Sequence, residues 1–282
     1  MVTTAEKLVA EVEGLEYEKR DHIAFIRINR PDRGNALHGS MVEPFQAMWA
    51  EIRNDPWIRV AIITGTGERH FCTGADMGAV AARGGVKAGK GPLTAEVHWS
   101  PRQNRVWKPT ICALNGLVAG AGLHFVVDSD IVVAADNVTI TDTHVNVGMV
   151  GAIENIGLAK RMPLGSALRL TLCGKAYRMS AERAYQLGLI DELVPHDQLM
   201  DKAEEIARQI AANSPTAVQL SQQALWSSVE MSYHDSMEYG WALARMHWDH
   251  PDFKEGPKAF AEKREPKWFV AGEDDDEGDA GG

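Results

Sequence analysis

The chain has 282 residues, 45% of them hydrophobic, and a formal net charge of -10. This length and composition allow one large domain or two small ones around an ordinary apolar core. The acidic balance disfavours nucleic acid as a partner, because phosphate binding leans on Lys and Arg, and no apolar run approaches the roughly 20 residues needed to cross a membrane.

The N-terminal Met1-Val2-Thr3-Thr4-Ala5-Glu6-Lys7 lacks a basic segment followed by an apolar one, which speaks against secretion. His22 to Asn29 is rich in β-branched and apolar residues and is predicted as a strand ended by Arg30-Pro31. From Asn35 to Asp55, Ala36, Leu37, Met41, Phe45, Met48, Trp49 and Ile52 recur with helical spacing, and Val60 to Gly65 reads as a second strand. Strand, helix and strand make a βαβ unit. Arg83 to Pro92 is a glycine- and lysine-rich loop. The unit recurs with Thr110 to Leu114 as strand, Gly120 to Ser129 as helix, Asp130 to Ala135 as strand and Val138 to Ile140 after it. A doubly wound dinucleotide domain would share this rhythm. However, no GxGxxG follows the first strand, and Gly65-Thr66-Gly67 leads to Glu68 rather than to a helix start. Beyond Leu158 the chain reads mainly helical. Ser180 caps one helix that ends at Gly188, Asp197 to Ala212 is amphipathic, and Pro215 opens another. The run 273–279 is acidic and reads as a disordered end. The expected organisation is a core over 1–200, a helical region over 201–270 and an acidic tail over 271–282. Three widely spaced cysteines, Cys72, Cys112 and Cys173, suit neither a disulfide framework nor a zinc site and fit a cytoplasmic protein without a metal.

Four blocks carry a resemblance. They are Asn29-Arg30-Pro31-Asp32-Arg33-Gly34-Asn35-Ala36-Leu37, Phe71-Cys72-Thr73-Gly74-Ala75-Asp76-Met77, the stretch from Lys108 through Gly116 and Gly120-Ala121-Gly122 to Asp130, and Glu255 to Pro266. In this order they resemble the "NRPxxxNAL", "FxAGADI", "KPxIAAVNGxAxGGGxE" and "EGxxAFxEKRxP" segments of the crotonase (enoyl-CoA hydratase/isomerase) superfamily. Ser180 to Pro195 is similar to a further segment. The resemblance implies an α/β fold, a spiral of repeated ββα units followed by a helical C-terminal trimerisation region. It further implies a homotrimer or hexamer that acts on an acyl-CoA thioester or related carbonyl substrate. No cofactor is bound permanently, and coenzyme A enters as part of the substrate.

Gly74-Ala75-Asp76 and Gly120-Ala121-Gly122 offer small residues at helix starts, where main-chain N–H groups lack internal partners. Ordinary tight turns also use such residues. By family position the amides of Ala75 and Ala121 form an oxyanion hole. For coenzyme A the matching positions are Arg33, Gly34, Thr73, Asp76 and Met77, with Phe260 and Lys263 reaching the coenzyme A of a neighbouring subunit.

The chain departs from the family at its two catalytic glutamates. Residue by residue, His124 falls on the first, and His144, in Thr143-His144, on the second. Imidazole holds water and moves protons near its ordinary pKa of about 6.5 but carries no negative charge. The replacement therefore favours activation of water over carboxylate abstraction of an α-proton. Asp128, four residues after His124, Asp142, two before His144, and Glu154 are candidate orienting carboxylates. His70, Tyr233 and His234 are further candidates near the pocket. Three functions stay open: an enoyl-CoA hydratase or isomerase of the lyase class, a hydrolase of a carbon–carbon bond in a β-diketone or of a thioester, and a catalytically silent binding or assembly protein.

Overall fold

A computed structural model of the chain describes residues 2–85 and 98–271. The expected loop residues 86–92 and the acidic run 273–279 lie outside the described residues. In chain order the first elements are α1 (Thr4–Ala10), β1 (Leu15–Arg20), β2 (Ile23–Ile28), α2 (Val42–Asn54), β3 (Val60–Gly65), β4 (His70–Cys72) and α3 (Met77–Ala82). Then come β5 (Thr110–Leu114), β6 (Leu117–Ala119), α4 (Leu123–Asp128), β7 (Ile131–Ala135), β8 (Thr139–Thr141), α5 (Ile153–Arg161) and α6 (Leu164–Cys173). The chain continues with β9 (Met179–Ser180), α7 (Ala181–Gln186), β10 (Glu192–Val194), α8 (Leu199–Ala211), α9 (Pro215–Ser228), α10 (Tyr233–His247) and α11 (Pro251–Glu262).

Six strands form the larger sheet in the order β1-β2-β3-β5-β7-β10, antiparallel only between β1 and β2. Its central strands are continuous apolar runs because both faces are covered. Every residue of β3 and β5 is buried. Phe45, Met48, Trp49 and Ile52 of α2 are wholly buried in the same core, and α8 lies against β3, β5 and β7. The helices expected at Ser180 and Pro215 form, the first under a Ser180 cap that accepts from the Arg183 amide.

The helix expected from Asn35 begins only at Val42, after a 3₁₀ turn at Gly39–Met41. The cause is local. Asn35 takes a left-handed φ of 52°, and its side chain replaces helical bonds with long-range ones. Its amide donates to the carbonyls of Thr66 (3.0 Å) and His70 (2.7 Å), and its oxygen accepts from the Arg30 N–H (2.9 Å). Asn115 does the same from the opposite strand, donating to Gly67 (2.6 Å) and His70 (3.1 Å) and accepting from the Gly65 N–H (3.1 Å). Two buried amides thereby fix the β3–β4 connection.

A second sheet follows from that fixed connection. β4, β6 and β8 pair in parallel, and β9 closes it antiparallel to β8. β4 and β6 have three residues each, too few to show an alternating pattern in the sequence. The C-terminal helices join the core through Asp130, whose carboxylate accepts from Gln222 Nε2 (2.7 Å), Trp226 Nε1 (2.6 Å) and the Thr110 N–H (2.7 Å). Among the described residues no helix is long and apolar enough to cross a membrane.

Removing the Asn35 amide leaves the Thr66 carbonyl and the Arg30 N–H without a partner, each costing about 1–3 kcal/mol when left unmade, and leaves the His70 carbonyl to Asn115 alone. We expect Asn35→Ala to lower the free energy of unfolding by about 3 kcal/mol in urea titration. A loss under about 0.5 kcal/mol, the scale of an ordinary surface change, would show that the β3–β4 connection holds itself.

Candidate active site

Parallel pairing lines up the C-terminal ends of β4, β6 and β8 on one edge of the small sheet. Each end delivers part of the site. β4 runs into Gly74-Ala75 and α3, β6 into the 3₁₀ turn Gly120–Gly122 and α4, and β8 into Asp142 and His144.

The first two turns press together main chain to main chain. Gly74 has φ +90°, and a Cβ on it would stand 3.0 Å from the Ala121 nitrogen and 3.1 Å from the Ala119 carbonyl oxygen. Only a residue without a side chain fits there. The bonds from the Leu37 N–H to Gly74 (2.8 Å) and from the Asp76 N–H to Leu37 (2.9 Å) hold the main chain on either side of Ala75. Neither the Ala75 nor the Ala121 N–H donates to an acceptor among the described residues. Asp76 caps α3 by accepting from the Ala79 N–H (3.2 Å) and pairs with Arg30 at 3.1 Å.

His144 lies beside this pair of turns, its Cε1 3.8 Å from where a Cβ on Gly120 would sit. Its Nδ1 is 2.7 Å from Asp142 Oδ1, which also accepts from the His144 N–H at 3.0 Å. Asn155 Nδ2 donates to the other Asp142 oxygen at 2.6 Å. From α5, the buried Glu154 carboxylate faces both imidazoles. Its Oε1 is 3.1 Å from His144 Nε2 and its Oε2 is 3.5 Å from His124 Nε2. The two histidines thus share one carboxylate, and Asp142 backs one of them.

Asp128 does not orient His124, although both belong to α4. The Asp128 carboxylate accepts from the Ser100 hydroxyl, and the side chain at His124 Nδ1 is Gln103, 3.2 Å away. Sequence reasoning missed Gln103 and Asn155. Of the expected coenzyme A positions, Thr73 and Gly34 touch directly, Thr73 Oγ1 donating to the Gly34 carbonyl at 3.0 Å. Arg33 and Met77 are exposed nearby in sequence, and Asp76 is bound to Arg30. Phe260 is 87% exposed at the end of α11, and Lys263 caps that helix with φ 55°. Tyr233 and His234 open α10 on the exposed surface, and the His70 carbonyl is taken up by Asn35 and Asn115. Among the described residues none of the side chains of Phe260, Lys263, Tyr233, His234 and His70 has a hydrogen bond or ion pair to the imidazoles or to Glu154.

The four ionisable groups are driven apart by their surroundings. Burial pushes His124 down to about 4, with the neighbouring His144 charge adding to the effect. His144 moves the other way, held above the usual range by its bond to Asp142 against the pull of burial, with Glu154 assisting. Burial would raise Asp142, yet the bonds from His144, Asn155 and the His144 N–H outweigh it and keep Asp142 below the ordinary range. Burial raises Glu154. Near neutrality His124 is therefore uncharged, Asp142 is a carboxylate, and a proton at His144 sits between two carboxyl groups.

The chain matches the family model described as enoyl-CoA hydratase/isomerase over residues 18–270. It is 32% identical to the (E)-benzylidenesuccinyl-CoA hydratase of Thauera aromatica, over 88% of this chain and 96% of that one. It is 34% identical to a mevalonyl-coenzyme A hydratase of Aspergillus fumigatus, over 88% of this chain and 91% of that one. Its structure superposes on a crystal structure of an enoyl-CoA hydratase/isomerase from Mycobacterium paratuberculosis with a TM-score of 0.82 and 36% identity, covering 91% and 98% of the two chains.

The depressed His124 sets a stability test. The unfolded chain protonates this histidine near the usual value of about 6.5, whereas the folded one resists to about 4. Between those values the unfolded state binds more protons, so folding stability is intact above the window and lost as pH falls through it. Relative to wild type, His124→Gln is expected to save about 2 kcal/mol of the loss between pH 7 and pH 5, measured by denaturant unfolding at both. Identical losses in the two proteins would mean His124 titrates normally in the fold.

Proposed function

The chain belongs to the enoyl-CoA hydratase/isomerase family, and from that membership and the site geometry we propose that it adds water across the double bond of an α,β-unsaturated acyl-CoA, or removes it in reverse. The observation that carries the reading is the placement of His144. Its ring lies beside the paired turns of Ala75 and Ala121 and between the carboxylates of Asp142 and Glu154.

In this reading the thioester oxygen accepts from the Ala75 and Ala121 amides, which stabilise the enolate as charge develops. Water held at the imidazoles gives its proton to His144 Nε2 as its oxygen bonds the β-carbon, and the double-bond electrons pass into the enolate. His144, now an imidazolium between two carboxyl groups, returns that proton to the α-carbon. Atoms and charge balance without a resident cofactor, and coenzyme A enters only as part of the substrate. Arg33, Gly34, Thr73, Asp76 and Met77 border the coenzyme side of the oxyanion turns in the proposed complex. The assembly we propose is a homotrimer or hexamer in which Phe260 and Lys263 serve a sister chain. Support for it comes from the exposed apolar residues of the C-terminal helices, among them Leu225, Met237 and Trp241.

The pairing of His144 with Asp142 favours a second reading. A carboxylate-backed imidazole also suits water attack on a carbonyl, as in hydrolysis of a β-diketone carbon–carbon bond or of a thioester. Product analysis separates the two, since hydrolysis releases a new carboxylate.

With crotonyl-CoA and a longer enoyl-CoA, we expect turnover that His144→Ala reduces by about 10²–10⁴ in kcat/KM, the usual range for a general base. Binding of the thioester without turnover would favour hydrolysis. A base of raised pKa is free to accept a proton only above that pKa, so kcat/KM is expected to rise with pH through a midpoint above about 6.5. Asp142→Asn should move that midpoint down and lower the plateau. A midpoint unmoved by this substitution would count against His144 as the base.

A further inference from the structure

His124 and His144 occupy matching places around Glu154, but their outer nitrogens meet opposite chemistry. His144 Nδ1 faces a carboxylate, which only accepts, so a proton must sit on Nδ1, and Nε2, 3.1 Å from Glu154 Oε1, is the bare nitrogen of neutral His144. His124 Nδ1 faces Gln103 at 3.2 Å. A glutamine amide can present either an oxygen or an NH₂, and here the main chain decides. The Ser100 N–H points at the other end of the same amide, 3.4 Å from Gln103 Oε1. A donor there requires the oxygen to face Ser100, which leaves the NH₂ toward His124. Nδ1 must then be bare, and the ring proton lies on Nε2, the nitrogen nearest Glu154.

The loop that makes this choice is well held. Ser100 is fully buried, and its hydroxyl donates to Asp128. Trp49 Nε1 donates to the Trp99 carbonyl at 2.8 Å, and Asn104 Nδ2 donates to Ser100 at 2.8 Å and His98 at 2.9 Å. The Arg102 guanidinium lies 3.9 Å over the Trp226 ring. Asp128 thus acts on His124 through Ser100 and Gln103.

We propose that Gln103 is a positioning residue that fixes His124 with its proton on Nε2, making His124 a constant hydrogen-bond donor in the site and leaving His144 as the imidazole that accepts a proton from water. The assignment of the tautomer stands on geometry alone, and its catalytic meaning rests on the hydration reading above. Around His124 the ionisable groups are Glu154 and His144, with Asp142 behind the latter.

The test uses histidine-selective ¹⁵N labelling of the full chain, with the His124 signals identified by their loss in His124→Gln. In wild type at neutral pH, His124 is expected to show a protonated Nε2 and a bare Nδ1. Gln103→Glu puts an acceptor at Nδ1 and should protonate that nitrogen, either by moving the proton from Nε2 or by raising the pKa of His124 until both nitrogens carry one. Gln103→Met should give a mixture of tautomers. In enoyl-CoA turnover, Gln103→Glu should lower kcat more than it changes KM, and more than Gln103→Met does. A wild-type His124 protonated on Nδ1 overturns the proposal even if both variants misfold, and so does a tautomer that neither folded variant alters. If the tautomer behaves as expected but no enoyl-CoA is turned over by wild type, the hydration reading falls and the positioning role of Gln103 stands.

Discussion

The parallel register of β4, β6 and β8 is the constraint on which the site depends. Three short strands end at one edge, and adjacent strands in a sheet lie only about 4.8 Å apart. Whatever follows their last residues is therefore forced into one small volume. Two of the strands lead into turns whose main chains meet at Gly74 and Ala121, and the third leads into Asp142 and His144. The larger sheet and its helices supply burial, and the clamps of Asn35 and Asn115 on His70 tie the small sheet to it.

Around Glu154 two like residues pose an electrostatic problem. Two imidazoles in one pocket cannot both be charged cheaply, since each positive charge disfavours the other. Burial and the neighbouring His144 charge keep His124 neutral, while the bond to Asp142, with Glu154 assisting, favours charge on His144. Identical side chains thus receive opposite protonation preferences from their neighbours, the same logic by which paired carboxylates are divided into acid and base elsewhere.

Much of this was legible before any coordinates. The blocks at Asn29, Phe71, Lys108 and Glu255 pointed to the family, and the long apolar runs and capped helices located most elements of the large sheet and the C-terminal region. Glu154 was only one of three candidate carboxylates, and the sequence could not rank them. Helical spacing favoured Asp128, because a four-residue step puts two side chains on one face, but its bond to Ser100 turns that carboxylate to another task. Gln103 and Asn155 carried no sequence signal, since a neutral amide in a loop or helix is common and its role arises only when folding brings a histidine or an aspartate to it. The helix starts at Val42 and not at Asn35 for a related reason. Asn35 fits the local pattern but spends its hydrogen bonds on residues more than thirty positions away.

The N–H groups of Ala75 and Ala121, proposed above as the oxyanion donors, belong to the main chain, which separates that chemistry from the side chains that would reveal it. Positions 75 and 121 present the same N–H whatever side chain they bear, and in this chain both are alanine. The close approach of the two turns instead rests on Gly74, where φ is +90° and a methyl group would stand 3.0 Å from the Ala121 nitrogen. A change of side chain at position 75 or 121 therefore leaves the N–H in place, whereas a side chain at position 74 meets the main chain of the facing turn.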